Sequence, residues 1–178
     1  MLYRLFIVSL LVMVMVACST TQARRFTLDV AGVGTGLMVF DQTLELAVDA
    51  VTRNFDQYTP DEQAKLHEIQ ARLETVRDSI TGMLDHAGNV AQVMVAPDQI
   101  MILHWQARQV YREAKSLVMP RFSSLPPPDQ QLLLNLDAHA RRLDANLSRL
   151  VNVPGGTDMT PSILELLAVV TLVSQAMQ

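Results

Sequence analysis

The sequence predicts an all-α fold, an antiparallel bundle of four to five helices behind an N-terminal signal and a flexible tether. Three observations predict it. From residue 37 onward, apolar side chains recur at 3- and 4-residue spacing. Prolines and glycines punctuate every helix boundary except the first, the start of the first helix. Each run makes a helix of about 30–40 Å, and breakers between such helices fold them back on one another instead of extending a coiled coil. A length of 178 residues suits one domain with a substantial core.

The first element is an address. Met1-Leu2-Tyr3-Arg4 precedes an apolar run from Leu5 to Ala17 broken only by Ser9, the pattern of a secretory signal. The run is shorter than the roughly 20 residues that a bilayer span needs. Met15-Val16-Ala17-Cys18 resembles the lipobox of bacterial lipoproteins, and Cys18 is the only cysteine in the chain. The resemblance implies a signal peptide over residues 1–17 and acylation of Cys18 as the first residue of the mature protein. It further implies anchoring through that lipid, and the membrane is the first expected partner. Ser19 is not aspartate, which by the same resemblance favours the outer membrane, facing the periplasm.

Loss of Arg4 with the signal leaves 13 of the 14 basic residues against 18 acidic ones, a net charge of −5. An acidic body of this kind suits neither nucleic acid nor a cationic clamp on anionic lipid, and no nucleic-acid partner is expected. A lone cysteine also excludes an intrachain disulfide framework and a cysteine-rich zinc ribbon.

Residues 18–36 read as the acylated cysteine and a flexible tether. Phe26, Leu28 and Val30 alternate with polar residues as in a short strand, and Gly32, Gly34 and Gly36 follow. The Gly-Val-Gly-Thr-Gly run lacks the third glycine of a dinucleotide fingerprint and the Gly-Lys-Ser/Thr of a phosphate loop, so it reads as a hinge. The bundle domain is expected over residues 37–178. Leu37, Phe40, Leu44, Ala47, Val51, Phe55 and Tyr58 form the first seam. Thr59-Pro60-Asp61-Glu62 supplies a capping box for a second helix, whose seam runs from Leu66 to Ala87 and ends at Gly88-Asn89. A third helix starts near Pro97 and carries Ile100, Leu103, Ala107, Val110, Ala114 and Leu117 until Pro120. The fourth follows Pro126-Pro127-Pro128-Asp129 with Leu133, Leu136, Ala140, Leu143, Leu147 and Leu150 in register. Pro154-Gly155-Gly156 breaks the chain, and Thr160-Pro161 starts a fifth helix. The triplets Pro60-Asp61-Glu62, Pro97-Asp98-Gln99 and Pro128-Asp129-Gln130 share N-terminal helix chemistry, a fixed φ plus an acid at the positive end, at unequal spacing.

No residue set carries a recognisable catalytic chemistry, so the chain reads as a non-enzyme with no cofactor. His67-Glu68 begins a zinc-protease motif whose second histidine is replaced by Ala71, and no Gly-x-Ser-x-Gly elbow occurs. His104 and His139 flank the seams of their helices and are expected to be half-buried. Glu68 with Arg72, and Asp137 with Arg141, are i,i+4 pairs expected on solvated faces. Arg108 with Arg112, and the group Arg141, Arg142 and Arg149, are alternatives for an acidic partner.

The fifth helix is the least ordinary element: between Ile163 and Met177 its only charge is Glu165. Glu165, Thr171, Gln175 and Gln178 leave it only a narrow polar stripe. Such a helix is central to a bundle, a removable lid, or an apolar face for a partner. The leading expectation is a lipid-anchored scaffold, accessory or assembly factor of the cell envelope. It would act by binding a protein partner or a second copy, with Leu166, Leu167, Val170 and Val173 as the candidate face. Helical pilotins, lipoproteins that hold an amphipathic helix in a groove, are an analogy at the level of fold only. The alternative is a bundle carrying a small hydrophobic ligand or haem in its core, with His104 or His139 as ligand.

Overall fold

The computed structural model describes residues 25–150 and 152–178, so the signal segment, Cys18 and residues 19–24 of the expected tether lie outside the described residues. The side chains of Leu147 and Leu150 lie outside them as well.

The alternation at Phe26 and Leu28 is a strand, β1 (Phe26–Asp29), with both side chains buried. It pairs antiparallel with β2 (Gln92–Val95), in the register Phe26↔Val95 to Asp29↔Gln92. On its other edge, Thr27 N donates to Thr157 O (3.0 Å) and Thr27 O accepts from Met159 N (2.8 Å). The beginning, middle and end of the folded body are thus stitched together at one strand. β2 has no counterpart in the helical reading. Gly88, at φ +55°, turns the chain, and Val93 and Val95 then alternate toward the interior before Pro97 opens the next helix.

Residues 26–36 therefore belong to the body, which corrects the tether expected over residues 18–36. The first helix, α1 (Val30–Arg53), starts immediately after β1, where Asp29 Oδ2 accepts from Gly32 N at 2.9 Å. The glycine run is helical because capping and tertiary contact outweigh its poor helix propensity. At Gly36 the lack of a side chain is used. A Cβ there would lie 2.9 Å from Leu164 Cδ2 and 3.0 Å from Leu167 Cδ1.

The remaining helices follow the predicted punctuation: α2 (Pro60–Asp85), α3 (Pro97–Val118), α4 (Pro127–Leu150) and α5 (Thr160–Ala176). Thr59 and Glu62 form the expected capping box. Short 3-10 turns at Phe55–Gln57 and Met119–Ser124 complete the connections after α1 and α3. Among the described residues this is an all-α bundle of five helices with one small two-stranded sheet.

The order of packing is less obvious than the order in sequence. α1 packs on α2, α2 on α3, and α3 on α4, while α5 packs on α1, α3 and α4. Four helices therefore form an arc around a central fifth, and no comparable packing joins α1 to α4. The core is aliphatic, with Phe26 and Phe40 as fully buried aromatic side chains. Its assembly is driven by removing this apolar surface from water.

Candidate binding seam over the central helix

Because α1 and α4 do not close on one another, a strip of α5 is left at the surface between them. Leu164, Ala168, Thr171 and Leu172 occupy this strip at helical spacing, flanked by Gly36 and Val39 from α1 and His139 from α4. The groove encloses about 340 Å³. Val39 and Leu164 remain 49% and 38% exposed, so the strip is accessible and largely apolar.

Of the four residues expected to form the binding face, Leu166, Val170 and Val173 lie elsewhere, and Leu167 lines the groove only as a buried side chain. Leu166, Leu167, Val170 and Val173 are at most 2% exposed and point into the core, against the arc of surrounding helices. This corrects their assignment as a partner surface. An apolar period in a central helix marks its buried side first, and the accessible side is the narrower strip left by its neighbours. Thr171 and Gln175, half of the polar stripe in the sequence, line this groove. The signal that could have located it was the continuation of Leu164, Ala168 and Leu172 beside them at 4-residue spacing.

Glu165, the lone charge of α5, is held at the margin of this strip. His139 Nδ1 lies 2.7 Å from its Oε1, and Arg142 Nε donates to the same oxygen at 2.9 Å. The side chain of Glu165 is 18% exposed, so the cluster clamps α4 to α5 from the solvent edge. Arg142 is thereby engaged within the molecule. Arg108 likewise reaches Asp144 of α4 at 3.2 Å, so these two members of the expected basic clusters serve helix pairing.

No family model, curated protein or solved structure matches this chain.

His104 is enclosed completely, not half-buried as expected. Its Nε2 shares a hydrogen bond with Ser162 Oγ at 3.0 Å, joining α3 to α5 inside the core. Burial pushes its pKa down to about 4, only partly offset by the Leu143 backbone and the Asp144 charge. With Nε2 occupied by Ser162, that nitrogen offers no open position to a haem iron. Among the described residues, no group of three or more histidine, cysteine or acidic side chains is placed to hold a metal ion. An apolar cavity of about 220 Å³ does lie under the C-terminal end of α5, between Leu66, Ile69, Leu117, Val173 and Met177. It is smaller than the roughly 300–1,000 Å³ of ordinary small-molecule sites.

The pair expected between Asp137 and Arg141 is loose, at 3.8 Å, with Arg141 largely in solvent. Asp137 instead faces α3. It accepts from Tyr111 Oη at 2.6 Å and from Lys115 Nζ at 2.9 Å, and Lys115 also donates to Tyr111 Oη at 3.0 Å. Burial alone would raise the Asp137 carboxyl, but the bonds from Tyr111 and Lys115 and the nearby cations outweigh it and hold the group below the usual carboxylate range. By contrast, the Glu68–Arg72 pair forms as expected at 2.7 Å, and Arg72 extends from it to Glu113 of α3 at 3.0 Å.

Proposed function

We propose that this chain is a lipid-anchored envelope protein that works by binding, holding an amphipathic helix of a partner protein in the seam between α1 and α4. The single observation that carries the reading is the uncovered apolar strip of α5 at Leu164, Ala168 and Leu172. A helix laid on this strip would place its own apolar residues at i, i+3, i+4 and i+7 against it. Ala168, a small residue on the lining of the groove, leaves room there for the side chains of such a helix.

The lipobox supports a location at the outer membrane, on the periplasmic side, with Cys18 as the attachment point. In this reading the acyl chains restrict the protein to the membrane surface, and the seam selects what it holds there. No reaction is assigned to it.

A photo-crosslinking residue introduced at Thr171 in intact cells tests the seam. The expected result is capture of one protein, abolished by Ala168→Arg while folding and membrane attachment stay unchanged. Capture that is indifferent to Ala168→Arg would refute the assignment. In parallel, Cys18→Ser should release the protein from the membrane fraction. Retention of the variant there would contradict the anchor.

A further inference from the structure

A second apolar surface lies where the folded body meets the chain that leads to Cys18. Arg25, immediately before β1, lines an open groove of about 770 Å³ together with Val90, Met94 and Ile102. Ile102 continues onto the outer face of α3, where Met101 and Trp105 lie within one turn of it. These five apolar side chains are all large and exposed, Trp105 at 55% and Met94 at 57%. None of them lines the seam over α5.

Covalent geometry limits how far this surface can lie from the anchor. Six residues, 19–24, separate Cys18 from Arg25. Fully extended, that connection spans at most about 25 Å. Acylation of Cys18 would therefore hold Arg25, and the groove it lines, within a short reach of the lipid headgroups. Indole rings settle at the boundary between headgroups and acyl chains, where the ring is apolar and its N–H stays wet. Methionine and isoleucine beside it add apolar area that inserts at the same depth. Arg25, with Arg24 before it in sequence, supplies positive charge at that edge of an otherwise acidic body.

We infer that the surface formed by Val90, Met94, Met101, Ile102 and Trp105 rests on the phospholipid bilayer that holds the Cys18 lipid, docking the body in one orientation. The inference rests on the lipid-anchor reading given above. In this arrangement the anchor supplies residence at the membrane, and the apolar surface fixes which side of the bundle faces it.

Trp105 is the only tryptophan of the chain, so its fluorescence reports on this surface alone. Full-length protein produced in bacteria is purified, weighed intact for the acyl modification, and reconstituted into vesicles of phosphatidylethanolamine and phosphatidylglycerol. The expected result is an acylated protein whose Trp105 emission shifts to shorter wavelength on reconstitution and is quenched by brominated acyl chains. The double variant Met94→Asp/Ile102→Asp should keep the helical circular dichroism and float with the vesicles, but lose both the shift and the quenching. An acylated protein that floats with solvent-like, unquenched Trp105 would overturn the docking surface and leave the anchor standing. A mass without acyl chains would overturn the anchor and this inference together. A shift seen with envelope proteins present and not with pure vesicles would assign the surface to a protein, against the inference.

Discussion

At the scale of single residues, the two most consequential polar side chains hold helices together in ways that depend on pH. His104 has a pKa of about 4 in the folded protein, against 6.5 for an ordinary histidine. As pH falls from 6.5 toward 4, the unfolded chain takes up a proton that the folded one refuses, so stability falls with pH across that window. The loss is on the order of 3 kcal/mol, because each tenfold difference in proton affinity is worth about 1.4 kcal/mol. His104→Gln keeps a hydrogen-bonding group near Ser162 but removes the titration. Its urea-unfolding free energy should be distinctly flatter between pH 6.5 and 4. Asp137 acts further down the scale. Its depressed carboxyl contributes stability that is present above the usual carboxylate range and is lost as pH falls through its own lower value. Asp137→Ala leaves the partly exposed Lys115 and Tyr111 without their shared acceptor. At neutral pH it should cost about 1 kcal/mol, read as a lower urea midpoint.

Among the elements, α1 shows how neighbouring glycines differ in what they do. Gly34 has nothing near the position of an added Cβ, whereas Gly36 faces Leu164 and Leu167 at 2.9 and 3.0 Å. Gly34→Ala should therefore stabilise the protein by about 0.5–1 kcal/mol through helix propensity and chain entropy. Gly36→Val should destabilise it by about 1–3 kcal/mol by forcing α1 away from α5. Thermal unfolding of the two variants is expected to shift in opposite directions, and a gain in both would mean that α1 and α5 are not in close contact. α5 offers a second contrast on a single helix. Val170 is fully buried and Ala168 lines the seam. Val170→Asp places a charge in the aliphatic core and should abolish the cooperative fold. Ala168→Arg should leave the unfolding midpoint near that of the wild type and affect only what binds. Circular dichroism during urea titration separates the two cases.

For the whole molecule, the arc of four helices around α5 accounts for both the buried and the accessible faces of that helix. The β1 strand ties residues 25–29, 92–95 and 156–159 into one layer, so the ordered packing of the body begins at Arg25. The helices are legible in the sequence because their causes are local. Thr59 and Glu62 cap α2, Pro97 opens α3, Gly88 turns the chain out of α2, and the 3-4 spacing marks each seam in the residues themselves. The strand β2 is not legible, since Val93 and Val95 become a strand only against Phe26 and Leu28, remote in sequence. The outer face of α3 escapes a reading of its seam alone, although Met101, Ile102 and Trp105 interrupt the polar side that an amphipathic helix should have. The sequence by itself determined the all-α class, the starts of α2 to α5 and the aliphatic character of the core. Tertiary structure alone decided which side of α5 is buried, that His104 is sealed and Asp137 turned inward, and which apolar residues remain outside. The reason is physical: capping and periodicity act over one or two turns, whereas burial depends on which neighbours arrive, and α1 and α4 leave a gap.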